Sequence, residues 1–291
     1  MQTVKAYQEM VESALKDCLR TQPAAAASLV EAMEYSLLSG GKRIRPILLL
    51  ASCEMGGGTC AEAMPYALAL EMIHTYSCIH DDLPAMDDDA LRRNRPTNHV
   101  VYGEAMAILA GDGLLTEAGA MMLRDAMHRS DLRGTRAAEA ILRRAGIAGM
   151  VSGQVMDMQM EGKPIDRDAV TYIHTHKTAD LLTAPLEAGL ILAGCGDEAV
   201  AAGICYGQHL GLAFQQMDDL LDVIGDTESL GKQVGMDALE GKQTWVALRG
   251  VEGTREDIRE ETRKAVDALA CFGERAAFLQ ELAMDLTHRV R

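Results

Sequence analysis

Two groups of aspartates are the residues of this chain best suited to chemistry. The run Asp218-Asp219-Leu220-Leu221-Asp222 closes a mostly apolar stretch. On a helix, Asp218 and Asp222 lie one turn apart on one face with Asp219 beside them, and like charges at that spacing repel. A bound cation removes the penalty. Ligands that are all oxygens point to a hard ion, and Mg2+ shared with phosphate groups is the usual case. The other group, Asp81-Asp82-Leu83-Pro84-Ala85-Met86-Asp87-Asp88-Asp89, closes an earlier apolar stretch. Its third acid stands six residues from the first, which ideal helix geometry does not place on the same face. Pro84 also interrupts the hydrogen-bond ladder. The helix is therefore expected to end or bulge here and swing Asp87 back toward the metal. The loop pattern of an EF-hand is absent.

The chain carries 28 Lys and Arg against 43 Asp and Glu, a net charge of −15, so clustered cations are informative. Lys42, Arg43 and Arg45 follow the glycine pair Gly40-Gly41, while Arg92, Arg93 and Arg95 follow the first acidic group. Lys177-Thr178, Lys232 and Lys242 come later. Arg donates in pairs to phosphate, and Lys serves as a mobile point charge. Singly, each reads as a surface cation. Alternating with metal-binding acids, they read as the lining of a diphosphate pocket. His74, two helical turns before Asp81, reads equally as a phosphate donor or as a satisfied core histidine.

Helices must position these groups. Apolar periodicity predicts them near 4–20, 25–38, 43–55, 60–82, 98–128, 134–161, 166–193 and 197–224, with two more after 254. No long alternating run of Val, Ile, Thr and aromatics predicts a sheet, and no linker divides residues 1–291, so one all-α domain is expected. The stretches 71–82 and 211–222 echo each other as apolar helices ending in paired aspartates, and could face one another across a bundle. Residues 199–217 carry no formal charge and hold Gly203, Gly207 and Gly211 at helical spacing. Gln208, His209, Gln215 and Gln216 interrupt that stretch, so a buried helix passing close to its neighbours is expected rather than a membrane span. The negative charge argues against a nucleic-acid or anionic-membrane surface. Seven cysteines without a C-x-x-C pair fit neither zinc nor a disulfide framework, and with no secretory segment at the N-terminus they fit a reducing cytosol.

Taken together, these residues resemble the short-chain trans-prenyl diphosphate synthases, above all bacterial farnesyl diphosphate synthases. Glu71 to Asp87 is similar to their first aspartate-rich motif, with the four-residue spacer between Asp82 and Asp87, and Phe214 to Asp222 is similar to the second. The element at 40–46, the Leu-Arg-Arg at 91–93, Lys177-Thr178, Lys232 and Lys242 agree as well. The resemblance implies an all-α, single-domain helical bundle of the isoprenoid synthase type with a deep central cavity, in a cytoplasmic homodimer without stable membrane insertion. Mg2+, three ions in the loaded site with Mn2+ as an alternative, would sit on Asp81, Asp87 and Asp218. Asp82 and Asp222 would orient ligands or waters, and Asp219 belongs to the same catalytic group. Arg92, Lys177, Thr178, Gln215, Lys232 and Lys242 would hold the allylic diphosphate; Lys42, Arg45, His74 and Arg93 would hold isopentenyl diphosphate. Tyr76, five residues before Asp81 with Ser77 beside it, would form a cavity floor that favours a C15 product, with core packing as its plainer role. Three positions depart from the family pattern: Asn94 for a glycine, Gln216-Met217 for an apolar-Gln pair, and Trp245-Val246 for an aromatic-Pro pair.

Rival readings share some of these features. A geranyl or geranylgeranyl diphosphate synthase would differ only near Tyr76 and Ser77. A terpene cyclase would not need the cations and histidine of a second diphosphate site. A non-catalytic partner subunit could dispense with its acids or cations, and this chain keeps both.

Overall fold

The computed structural model describes residues 2–19, 26–164, 167–225 and 244–287. Lys232 and Lys242 lie outside them. Local signals start several helices. Thr3 caps α1 (Val4–Leu15) by accepting from the Ala6 amide. Thr59 and Glu62 form a reciprocal capping box at the start of α4 (Cys60–Asp81), satisfying amides that have no partner within the helix. Between these two helices come α2 (Ala27–Leu37) and α3 (Ile44–Met55).

Beyond α4 the expected long helices are subdivided. Gly103, at φ 84°, separates α5 (Asn98–Tyr102) from α6 (Glu104–His128). A glycine-bounded turn at 146–149 divides α7 (Arg133–Ala145) from α8 (Met150–Met160). The stretch expected as one helix over 166–193 is α9 (Arg167–Ile173), a π-helical turn (His174–Ala179) and α10 (Asp180–Leu192). It is followed by α11 (Asp197–Ile224). The next helix, α12 (Trp245–Ala268), starts before residue 254 and breaks at Gly250, where φ is 69°. A 3-10 turn (Ala270–Ala276) leads into α13 (Ala277–Thr287). At the N-terminus, α1 stops at Leu15 rather than continuing to residue 20.

The fold is all-α, with one small correction. A two-residue antiparallel hairpin pairs β1 (Leu91–Arg92) with β2 (Arg95–Pro96). Arg93 and Asn94 turn it with φ of 54° and 58°, the type I′ geometry that suits Asn or Gly. The turn therefore accommodates Asn94 where the family pattern has glycine. The hairpin is too short to show in an alternation pattern.

Every residue of α10 is buried, and it packs on α3, α4, α7 and α11. Thus α10 lies between the helices that end in the two aspartate groups. Its contact with α11 uses the glycine face read from the sequence. A methyl on Gly203 would come within 2.4 Å of the Leu190 side chain and one on Gly207 within 2.6 Å of the Thr183 backbone, while one on Gly211 would come within 2.3 Å of Ala179 in the π turn just before α10. Residues 199–217 thus belong to a closely packed helix. Among the described residues the helix long and apolar enough to cross a bilayer is α6, with 33% of its most apolar window buried.

Candidate active site

The first aspartate group behaves as the proline predicted. Helix α4 ends at Asp81, and the chain turns so that the Asp87 amide donates to the Asp81 carbonyl at 2.9 Å. Asp87 is exposed and Asp81 half-buried, while Asp82 is buried. Asp82 accepts from Arg92 Nε at 2.8 and 3.0 Å. Burial pushes the Asp82 carboxyl up to about 6, against the opposing pull of Arg92.

The second group divides the same way. Asp219 and Asp222 are buried and Asp218 half-buried. Asp219 accepts from the Trp245 backbone amide at 2.7 Å and Gln215 Nε2 at 3.2 Å, with His174 Nε2 at 3.4 Å. Burial raises the Asp219 carboxyl, but the partners, His174 foremost, outweigh it and hold the group below its ordinary range.

The π turn joins the two groups. Thr178 Oγ1 donates to Gln215 Oε1 at 2.7 Å on α11. One residue earlier, Lys177 Nζ donates to Asp157 Oδ2 at 2.6 Å on α8. Burial alone would lower Lys177, yet Asp81, Asp157 and Asp87 hold its ammonium above the ordinary value. From α8, Gln154 Nε2 donates to Asp81 Oδ1 at 2.7 Å. Gly153 makes this approach possible, since a methyl there would lie 2.1 Å from the Lys177 amide nitrogen. Behind the turn, His176 pairs with Asp180 at 2.7 Å, and Asp180 accepts from the buried Arg144 at 2.6 Å. A π turn offsets helical register by one residue and recurs at functional sites; here it lies among carboxylates from α8, α10 and α11.

The cations differ in burial and in partners. Arg43, at φ 50°, is buried and spent on Glu12 at 2.7 Å, Glu71 at 2.6 Å and the Leu37 carbonyl at 2.9 Å. Lys42 beside it is exposed. Arg45 Nε is buried without a hydrogen-bond partner. Burial, with Arg93 adding to it, pushes the Arg45 guanidinium below its ordinary value. Burial and then Arg45, Arg93 and Arg92 push His74 well below 6.5, so its imidazole is neutral. The Arg93 guanidinium lies against the backbone of Gly41, where a methyl would come within 2.2 Å, so the 40–46 and 91–93 elements meet in space. His74, Arg92, Arg93 and Arg95 line one cleft with Tyr35 and Asn98. Neither Lys42 nor Arg45 lines this cleft; its three arginines make it complementary to an anion.

On the α4 wall, the buried Tyr76 ring stands edge-to-face on His80, with centroids 5.7 Å apart. Ser77 Oγ donates to the His74 carbonyl at 2.8 Å, which turns its hydroxyl into the helix's own backbone.

The polyprenyl synthetase family pattern matches residues 26–276. This chain belongs to that family. It is a trans-prenyl diphosphate synthase, and so a prenyltransferase. Its sequence is 47% identical over 234 residues to farnesyl diphosphate synthase of Geobacillus stearothermophilus, covering 80% of this chain and 78% of that one. It is 41% identical over 283 residues to geranylgeranyl diphosphate synthase of Cyanophora paradoxa, covering 97% and 93%. Among solved structures it is similar to a geranyltransferase from Helicobacter pylori complexed with magnesium and isoprenyl diphosphate. There the TM-score is 0.84, with 33% identity and coverage of 97% and 94%.

Among the described residues, no three His, Cys, Asp or Glu side chains converge as a ready metal cage. The donors fit Mg2+ in another way. The accessible acids, Asp81, Asp87 and Asp218, offer only oxygen, and Mg2+ is commonly held by one or two carboxylates completed by substrate phosphates. Sequence reading missed Gln154, Asp157, His174 and the part played by Trp245. For the α8 pair a signal existed: Gln154 and Asp157 are polar residues at i, i+3 after Gly153 in a stretch otherwise rich in Met and Val.

Proposed function

We propose that this chain condenses isopentenyl diphosphate with dimethylallyl and then geranyl diphosphate to form farnesyl diphosphate. The observation that carries the reading is the π turn, which brings Lys177 and Thr178 between acids that close two different helices. In this account Arg92, Lys177, Thr178 and Gln215 grip the allylic diphosphate together with Lys232 and Lys242. Lys42, Arg45, His74 and Arg93 grip isopentenyl diphosphate, whose charge answers the unpaired Arg45 Nε. Mg2+ on Asp81, Asp87 and Asp218 would compensate the charge that develops on the leaving diphosphate. Lys177 and Arg92 add fixed positive charge at the same place, which favours the C–O bond breaking more than the bound ester. Asp82 orients Arg92, while Asp219 orients Gln215. The allylic cation is attacked by the homoallylic double bond; a new C–C bond forms, a proton leaves, and the released pyrophosphate accepts it.

Product length follows from the wall below Asp81. Tyr76, a buried residue, lies just over one helical turn down it and would close the floor of the cavity after C15. The Geobacillus farnesyl diphosphate synthase at 47% identity supports that length; the geranylgeranyl diphosphate synthase at 41% favours the longer rival. Incubating the enzyme with isopentenyl and geranyl diphosphates, then dephosphorylating and sizing the alcohols, separates them: farnesol is expected, and geranylgeraniol as main product would overturn the C15 assignment.

Residues 1–291 act in this reading as one domain of a cytoplasmic homodimer. Helix α6 exposes Leu109, Leu123 and Met127, and α8 exposes Val151, Val155 and Met158. A second copy would cover such a face self-complementarily about a two-fold axis. Sedimentation at the dimer mass is expected; a monomer at micromolar concentration would contradict it.

A further inference from the structure

We propose that His80 and Gly111 set product length by bracing the Tyr76 ring, an inference that rests on the reading of Tyr76 as the chain stop. Tyr76 and His80 lie one helical turn apart on α4, so their rings share a face. They meet edge-to-face, with centroids 5.7 Å apart and planes at 82°. A helix-borne tyrosine can change its rotamer, so a ring that stops a growing tail needs something behind it. The imidazole supplies that backing, and it is itself fixed from another helix.

His80 Nε2 hydrogen-bonds the Ile108 carbonyl of α6 at 3.0 Å, with Asp112 Oδ1 at 4.0 Å. The ring lies where a side chain on Gly111 would otherwise be. A methyl there would stand 2.1 Å from Nε2, 2.5 Å from Cδ2 and 2.9 Å from Cε1. Gly111 is thus a notch in α6 shaped by the imidazole, and α6 fixes the floor of a cavity whose wall is α4. Both are positioning residues that act through Tyr76.

The test compares His80→Ala, Gly111→Ala, the double variant and Tyr76→Ala under excess isopentenyl diphosphate, reading the C20:C15 ratio of the products. The ratio is read at matched consumption of isopentenyl diphosphate, so a general loss of activity next to Asp81 leaves it unmoved. Without the brace, the ratio rises in His80→Ala by roughly 2- to 10-fold, the Boltzmann factor of one edge-to-face ring contact. Gly111→Ala evicts the imidazole and raises the ratio similarly. The double variant matches His80→Ala, because the added methyl then has nothing to displace. A wild-type ratio in both single variants, with a raised ratio in Tyr76→Ala, overturns the brace and leaves the stop intact. An unchanged ratio in Tyr76→Ala removes the stop itself. A Gly111→Ala effect that persists without His80 overturns the link between the two residues. Should Gly111→Ala fail to fold, His80→Ala and the double variant still decide.

Discussion

Replacing Gly153 with alanine tests whether α8 and the π turn form one unit. The added methyl would sit 2.1 Å from the Lys177 amide nitrogen and 2.6 Å from both Lys177 Cα and the His176 carbonyl carbon. Ordinary contact begins near ~3.5 Å, so the two backbones must part by roughly 1.4 Å. Gln154 and Asp157 travel with α8, and their bonds of 2.7 Å to Asp81 and 2.6 Å to Lys177 would open past hydrogen-bonding reach. Overpacking of this kind costs about 1–3 kcal/mol, which at about 2–4 °C per kcal/mol lowers Tm by several degrees. The catalytic loss should be larger in proportion, because a misplacement of about 1 Å can cost ~100-fold in rate. Gly119→Ala on α6, where nothing lies within 4 Å of the new methyl, is the control and should hold or raise Tm by the helix preference of alanine. Calorimetry and steady-state condensation rates on both variants give the answer. A Gly153→Ala enzyme with wild-type Tm and kcat would refute the packing on which the bridge depends.

Asp81→Ala and Asp218→Ala should each lower kcat by at least about 100-fold while leaving circular dichroism and Tm near wild type; near-normal turnover in either would reject the metal assignment. His74 carries a pH signature. Its imidazole, buried and beside Arg45 and Arg93, titrates well below 6.5 in the fold, so only the unfolded chain takes up its proton as pH falls through that value. Stability should therefore be present above pH 6.5 and lost below it, by at most ~1.4 kcal/mol per pH unit. Thermal melts between pH 7.5 and 5.5 should show a steeper fall for wild type than for His74→Asn, and parallel curves would contradict the buried neutral state.

How much could be read from the chain alone follows from what is local. Both aspartate runs, the turn forced by Pro84 and the glycine face of α11 depend on neighbouring residues, and each was legible. The subdivision of long helices was not. Gly103 takes a positive φ inside a periodic stretch, and the π turn depends on tertiary partners such as Asp157 and Gln215. Residue type also failed to separate neighbours: Arg43 and Arg45 look alike in sequence, yet one is saturated by Glu12 and Glu71 while the other keeps a buried N–H without a partner. Trp245 stood out as a departure from an aromatic-Pro pattern. Its backbone amide is bonded to Asp219, and its indole N–H donates to Asp257 at 2.8 Å, anchoring the start of α12 to the second aspartate group.

In the proposed reaction this chain ionises an allylic diphosphate between its two aspartate groups with a divalent metal ion and joins the resulting allylic cation to isopentenyl diphosphate. The most direct measurement follows pyrophosphate release and C–C bond formation together in purified protein. It would be given isopentenyl diphosphate, dimethylallyl diphosphate and Mg2+, then EDTA, then Mg2+ again. One pyrophosphate per new bond, stopped by EDTA and restored by Mg2+, is the expected result. Pyrophosphate release without incorporation of isopentenyl diphosphate, or condensation that survives EDTA, would contradict it.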